Sequence, residues 1–230
     1  MDRAQELNRI KRAAGTTDAP GSLFVFVTKF LPTVNNFEVV GQLTSSAATL
    51  AWGDNTLLCL YLNGTLEYTL DPTNPKSLLT ATPFGVAHRD DPFERDIEAI
   101  RLGEYPLLPS RFSALFGFED RDSCERVAQL HGWPLEEVRK VRVEQHEVLA
   151  RAHRGNMNLI SVLHGLYPAS LTRDQLEQAI RWYWSGSEEL PITTDDARFG
   201  TPLWEWLVEG TFHRIDEPRG TIQDVLRGGS

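Results

Sequence analysis

The chain has 230 residues, 41% of them apolar, which is enough for one domain with a sizeable core. Its formal charge of -9 argues against a broad basic face that would coat nucleic acid by neutralising phosphates, but it is compatible with a small basic groove. The sequence has no run of about 18 apolar residues that would predict a membrane span, and its first residues do not resemble a secretory signal. We therefore expect an intracellular, cytoplasmic protein without membrane contact. Cys59 and Cys124 lack the spacing of a disulfide framework or a zinc site, and the histidines are scattered, so no metal is expected.

The first third of the chain predicts mostly strands. Residues 1–21 predict a short helix and a linker, and the nearly continuous apolar run over 22–31 is typical of a strand buried on both faces. Further strands are predicted over 37–40, 47–52 and 57–70. The dipeptide Asn63-Gly64 splits the last of these into a hairpin, because both central residues of a type I′ turn require positive φ.

A helix is predicted next, from Pro92 to Arg101, because Asp91 suits the cap position and proline suits the first helical position. It leads to the stretch 107–118, where the polar pair Ser110-Arg111 precedes a short apolar run. This stretch predicts a strand with hydroxyl groups at its entrance, which suits a ligand site. The alternative is an ordinary solvated turn.

The second half of the chain predicts alternating helices and strands. The aromatic cluster Trp182-Tyr183-Trp184 at the end of the last helix indicates either packing or stacking on a base. Residues 187–200 form a polar connection, which is either a plain linker or a loop that orders on ligand binding. The predicted elements are a helix over 122–130 that stops at Gly132, a half-buried strand over 138–143, a helix over 159–166, and a helix over 173–184 capped by Thr172.

The last predicted strand lies within residues 202–215. Its alternation places Trp204, Trp206 and Val208 on one face, so that Glu205 lies among apolar residues on the other. A carboxylate on an apolar face is costly unless it has a partner or a ligand. The alternative is that this is an edge strand with Glu205 in water.

Three features stand in a fixed order: a buried early strand over 23–30, the Pro-Ser-Arg stretch followed by a helix, and a late strand that carries Glu205. This order resembles the ADP-ribosyltransferase-like superfamily, in particular its small bacterial and phage members. Their three motifs are an Arg or His on the first strand, a Ser-led strand and a terminal Glu. The resemblance covers residues 22–215 and implies an α+β fold, a single domain with a split two-sheet ADP-ribosyltransferase-like core and flanking helices. Residues 1–21 and 216–230 then form an N-terminal helix with its linker and a C-terminal tail.

The resemblance also implies roles for individual residues. Ser110 and Ser113 would shape the pocket for the nicotinamide ribose of NAD, and Arg111 would meet its pyrophosphate. Glu205 matches the terminal Glu, which binds the ribose 2′-hydroxyl and stabilises the cationic transition state as nicotinamide leaves. Tyr183 is assigned to the cofactor site as well. Where the family has Arg or His on the first strand, this chain offers Lys29, which binds phosphate as a point charge but not in a bidentate manner.

The expected function is therefore NAD-dependent transfer of ADP-ribose to a macromolecular acceptor. The family implies toxin-like action, as in phage conflict systems, and a cognate antitoxin or inhibitor protein as a partner. Whether the acceptor is protein, RNA or DNA stays open. The alternatives are a catalytically inert fold of this type that acts as a binding or inhibitory module, which the first-motif departure favours, and hydrolysis of NAD to free ADP-ribose.

Overall fold

Two antiparallel sheets and six α-helices make up the part of the chain that the computed structural model describes. The expected α+β class is confirmed. No helix of the described part is long and apolar enough to cross a membrane. The described residues are 18–27, 36–53, 61, 82–88, 90–145, 151–167, 170–188 and 200–215.

The first sheet has four strands in the order β1-β4-β7-β2, with antiparallel neighbours throughout. Its inner face carries alternate residues of β1, of which Leu23 and Val25 are buried. The strands are β1 Ser22–Phe26, β2 Gln42–Thr44, β4 Val138–Glu144 and β7 Thr211–Arg214.

The second sheet has three strands, β3 Leu115–Gly117, β5 Arg151–Asn156 and β6 Trp204–Glu209, in the order β3-β6-β5. The strand β6 is therefore central, with a neighbour on each side. It continues into β7 of the first sheet through Gly210, so one segment of the chain belongs to both sheets. A Cβ atom at Gly210 would lie 2.5 Å from the carbonyl oxygen of Glu144, which is why glycine is required there.

Three helices begin or end at a capping residue that the sequence predicts. Asp91 accepts the backbone N–H of Phe93 at 2.9 Å, and Thr172 begins the last helix with a capping box. Gly132 has a φ of 70° and ends the helix before it. The helices are α1 Ser46–Gly53, α2 Pro83–His88, α3 Pro92–Glu104, α4 Arg121–His131, α5 Met157–Leu166 and α6 Arg173–Trp184.

The strand β6 separates two apolar clusters. Leu207 packs with α3, α5 and α6, whereas Trp206 and Val208 pack between the sheets with residues of β1, β4 and β7. The predicted alternation along this strand is confirmed. Because Glu205 and Glu209 share the face of Leu207, both carboxylates point toward the helices.

Two predicted strands are wrong. Residues 36–40 form a π-helical turn that ends at Gly41, whose N–H donates to the carbonyl oxygen of Phe37 at 3.0 Å, and residues 46–53 form α1. Ser45 caps α1 by accepting the N–H of Ala48 at 3.1 Å. Alanine favours helices, and with this cap the local signal for a helix outweighs the apolar run that had indicated a strand.

The strand predicted from the stretch 107–118 is also much shorter than expected, since β3 covers only Leu115–Gly117. Residues 110–114 form a tight turn, because the N–H groups of Ser113 and Ala114 both donate to the carbonyl oxygen of Ser110. In contrast, β5 was not predicted at all. These differences change where the polar residues of the stretch can point.

Several predictions fall outside the described residues. They include Lys29, most of the hairpin over 57–70, most of the connection over 187–200, and nearly all of the segments 1–21 and 216–230. Tyr61 is described and has a helical backbone, so the strand prediction is wrong at that position. The domain boundaries stay a prediction.

Candidate functional site

The turn that carries Ser110, Arg111 and Ser113 is held from both sides. From α3, Arg101 donates to the carbonyl oxygen of Leu108 at 2.8 Å and is itself paired with Glu98 at 2.7 and 2.9 Å. From the other side, the hydroxyl of Thr82 donates to the carbonyl oxygen of Phe112 at 2.7 Å. With its backbone fixed in this way, the turn directs its polar side chains toward β6.

Arg111 is buried and meets three polar side chains, from α3, α6 and β6. Its Nε and Nη2 atoms donate to the two oxygens of Glu94 at 2.9 and 3.2 Å. Its Nη1 atom donates to Oε1 of Glu205 at 2.6 Å and to the hydroxyl of Tyr183 at 2.7 Å. The Tyr183 hydroxyl donates in turn to the same Oε1 at 2.7 Å. We call Glu94, Arg111, Tyr183 and Glu205 the Arg111 network.

Glycine on a neighbouring strand makes room for Tyr183. A Cβ atom at Gly155 of β5 would overlap the Tyr183 ring, so a larger residue there would displace the hydroxyl from Glu205. The backbone of the same tyrosine is fixed by His153 of β5, whose Nε2 lies 3.1 Å from the Tyr183 carbonyl oxygen. Burial lowers the pKa of His153 to about 4, so this imidazole is neutral at pH 7.

The charges within the Arg111 network determine its protonation. Burial by itself lowers the pKa of Arg111, but the neighbouring carboxylates of Glu94 and Glu205 outweigh it and raise that pKa well above its ordinary value. For Tyr183 burial has the opposite effect and raises the pKa, so its hydroxyl keeps the proton that it donates to Glu205. The guanidinium of Arg111 is therefore a permanent cation, hydrogen-bonded to two carboxylates.

A second buried network surrounds Glu209 at the other end of β6. Its Oε1 accepts from the hydroxyl of Tyr61 and from the hydroxyl of Ser113 at 3.3 Å, and these two hydroxyls lie 3.1 Å apart. Its Oε2 lies 3.8 Å from Nε of Arg151, and no hydrogen-bond partner for it occurs among the described residues. Burial raises the pKa of Glu209. This carboxyl therefore retains its proton to a higher pH than an exposed glutamate does.

The predicted site residues divide between the two networks. Glu205, Arg111 and Tyr183 meet directly, while Ser113 joins the network of Glu209. Ser110 is fully buried and stabilises the turn, because its hydroxyl accepts the N–H of Phe112 at 3.2 Å. The idea that Glu205 lies in water on an edge strand is wrong, since it is 3% exposed on the central strand. The alternative that Ser110 and Arg111 lie in a solvated turn is also wrong, because both residues are buried.

Sequence reasoning missed Glu94 and Glu209. A signal existed for Glu209, which follows Glu205 by four residues on the same strand face and immediately precedes the required Gly210. For Glu94 the signal was weaker, because it lies beside the apolar stripe of α3 in the position of an ordinary first-turn acid. Its burial depends on the Arg111 turn, which packs against that side of the helix.

The Arg111 network holds a fixed anion in a water-poor setting. Two carboxylates and one guanidinium carry a formal charge of -1, and all three side chains are at most 6% exposed. Such an arrangement favours a neighbouring group that gains positive charge during a reaction. In the described part of the chain, no cluster of three His, Cys, Asp or Glu side chains is suited to a metal ion.

No model of a known protein family matches this chain, and no curated protein sequence matches it significantly.

Proposed function

We propose that this protein is an NAD-dependent ADP-ribosyltransferase that modifies a macromolecular acceptor. The observation that carries the proposal is the contact between Arg111 and Glu205, which lie 94 positions apart in the sequence. The resemblance assigns these two residues to one NAD site on the basis of separate motifs. Their direct contact, together with that of Tyr183, supports the assignment. The two antiparallel sheets, with Glu205 on the central strand of one, are consistent with a split two-sheet core.

The chemistry of the proposed reaction requires a fixed anion. As the bond between nicotinamide and C1′ of the ribose breaks, its electron pair goes to the nicotinamide nitrogen and positive charge develops on the ribose. Glu205 stabilises that charge, because it is held by Arg111 and Tyr183 in a site that excludes water. A nucleophile of the acceptor then forms the new bond to C1′ and releases its proton.

A second candidate function is a catalytically inert member of the same fold that binds a partner. One observation favours it: Arg111 is 5% exposed and directs its donors to protein atoms. A site in which the cation is already neutralised has less attraction for the pyrophosphate of NAD. This candidate predicts no release of nicotinamide under any condition.

The test is nicotinamide release by the purified full-length protein, with NAD labelled in the nicotinamide ring. The reaction is run alone and with protein, RNA or single-stranded DNA as acceptor, and the mass gain of each acceptor is measured. Two variants are compared, Glu205→Gln and Glu38→Gln. Glu38 is the control, because it is a largely buried carboxylate, 13% exposed, that pairs with Arg139 and Arg214 of the first sheet and contacts neither Glu205 nor the Arg111 turn.

We expect the wild type and Glu38→Gln to release nicotinamide and Glu205→Gln to be slower by about 100-fold or more, the usual effect of removing one stabilising group. Release with a modified acceptor identifies a transferase, and release without one identifies NAD hydrolysis. Background release by the wild type with every acceptor would overturn the proposal in favour of the inert module.

A further inference from the structure

Glu94 of α3 binds Arg111 on the side opposite to Glu205. The Nε and Nη2 edge of the guanidinium faces the two oxygens of Glu94, and the remaining Nη1 faces Glu205 and Tyr183. We propose that Glu94 is a positioning residue that acts through Arg111 to orient Glu205 while leaving it negatively charged. The inference rests on the proposed function for its catalytic meaning, but the coupling that it describes is testable without any activity.

The first step of the argument is geometric. Two parallel hydrogen bonds between a guanidinium and a carboxylate fix the plane of the guanidinium, which a single contact does not. The rings of Phe84 and Phe116 support it, at 5.2 and 5.1 Å from the central carbon of Arg111. With its plane fixed by Glu94, Arg111 directs Nη1 toward the Oε1 atom of Glu205 and the Tyr183 hydroxyl bound to that same oxygen.

The second step concerns charge. A single arginine beside a single buried glutamate neutralises it, and a neutralised glutamate does little for a cationic transition state. Here the arginine is shared, with two contacts to Glu94 and one to Glu205, so the three groups keep a formal charge of -1. Glu94 therefore allows Arg111 to hold Glu205 in place without cancelling its charge.

Holding Glu205 in place is assigned to Arg111 and not to the two neighbouring histidines. Burial lowers the pKa of His153 on β5 to about 4, so it adds no charge at neutral pH. Burial also lowers the pKa of His131 on α4, although the negative charge of Glu205 by itself raises that pKa. Among the described residues, the cation in ion-pair contact with Glu205 is Arg111.

The same geometry changes the role expected of Arg111. An arginine has five N–H donors, and the contacts to Glu94, Glu205 and Tyr183 use four of them. Arg111 is thus assigned to orienting Glu205 rather than to binding the pyrophosphate of NAD.

The test compares Glu94→Gln with Glu38→Gln. The two side chains are 5% and 13% exposed and each pairs with arginine, but only Glu94 reaches Glu205 through its arginine. The first measurement is equilibrium unfolding of each single variant, of Glu205→Gln and of the two doubles. We expect Glu94→Gln and Glu205→Gln to be non-additive, because the second loss leaves Arg111 buried without a carboxylate, and Glu38→Gln and Glu205→Gln to be additive. Additivity in both pairs would overturn the inference.

The second measurement is the steady-state cleavage of NAD. We expect Glu94→Gln to lower kcat by about 10-fold or more with KM within a factor of about 3, because an orienting group acts on the transition state rather than on binding. A rise in KM with kcat unchanged contradicts the inference and favours instead a role of Arg111 in binding the pyrophosphate of NAD. If the wild type proves inactive, the proposed function fails, while the unfolding experiment still decides whether Glu94 and Glu205 are coupled.

Should Glu94→Gln not fold, Glu94→Asp provides the second variant. It keeps the charge but reaches one methylene less far, so it disturbs the orientation of Arg111 without removing its counter-ion. We expect kcat to fall in Glu94→Asp and not in Glu38→Asp. An equal effect of both aspartates would show that shortening any arginine-paired glutamate lowers activity, and it would overturn the role given to Glu94.

Discussion

Gly155 of β5 leaves the space that the ring of Tyr183 occupies, and a single added carbon would overlap that ring. The hydroxyl at the far end of this ring donates to Glu205 at 2.7 Å. Gly155, which has no side chain, thus determines the position of the Tyr183 hydroxyl in the candidate site.

The first prediction concerns this glycine. Gly155→Ala should destabilise the protein by about 1–3 kcal/mol, the usual cost of overpacking, and should lower NAD cleavage by moving Tyr183. The matched control is Gly165→Ala in α5, where an added Cβ meets nothing within 4 Å and alanine should stabilise the helix by about 0.5–1 kcal/mol. Urea denaturation of both variants checks the prediction, and equal stability of Gly155→Ala and wild type would contradict it.

The second prediction separates the Tyr183 hydroxyl from its ring. Tyr183→Phe keeps the packing but removes the group between Arg111 and Glu205, so stability should fall by about 1–3 kcal/mol, as expected for hydrogen bonds to charged partners. Tyr167→Phe removes a hydroxyl that donates to Asp96 at 3.3 Å in a less buried position, and this control should stay within about 0.5 kcal/mol of wild type. Thermal unfolding distinguishes the two, and similar losses in both would contradict the role given to Tyr183.

The third prediction concerns the buried cation. Arg111→Met leaves two buried carboxylates without their counter-ion, so we expect a loss of about 3–5 kcal/mol in the free energy of unfolding. Arg95→Met is the control, because Arg95 and its partner Asp90 are 66% and 75% exposed and exposed pairs contribute about 0–1 kcal/mol. Chemical denaturation of both at pH 7 measures the difference. A loss below 1 kcal/mol for Arg111→Met would show that the network is easily rearranged.

The fourth prediction is a pH dependence. Burial raises the pKa of Glu209 in the folded protein above its ordinary value of 4.5. Such a group favours the folded state fully below the unfolded pKa and loses that contribution as the pH rises through the folded pKa. Glu209→Gln cannot ionise, so the stability of the wild type relative to this variant should fall as the pH is raised above 4.5.

Urea unfolding of wild type and Glu209→Gln at several pH values between 4 and 8 tests this. Glu125→Gln is the control, because Glu125 and its partner Arg121 are 48% and 55% exposed and exposed pairs contribute about 0–1 kcal/mol. A constant difference for Glu209→Gln would mean that Arg151 compensates the buried charge completely.

Local signals in the sequence determined the helices α3, α4 and α6. The cap at Asp91, the capping box at Thr172 and the stop at Gly132 each depend on groups within a few residues, so the pattern alone is sufficient. The strand β6 can also be predicted from the sequence, because its side chains alternate between two apolar clusters. For the short apolar runs over 37–40 and 47–52 the strand prediction is wrong, because length and hydrophobicity do not distinguish a strand from a turn or a short helix.

For the candidate site, the sequence by itself indicated that a carboxylate on an apolar strand face, Glu205, needs a partner or a ligand, and it was the resemblance that assigned Arg111 to the same site. Only the tertiary structure decided which partner it has. Glu94, Arg111, Tyr183 and Glu205 come from four distant segments, and their charges become costly or useful only when packing removes water from around them all. Capping and alternation are local and can be predicted from sequence, whereas the balance of buried charge depends on contacts that only the folded chain creates.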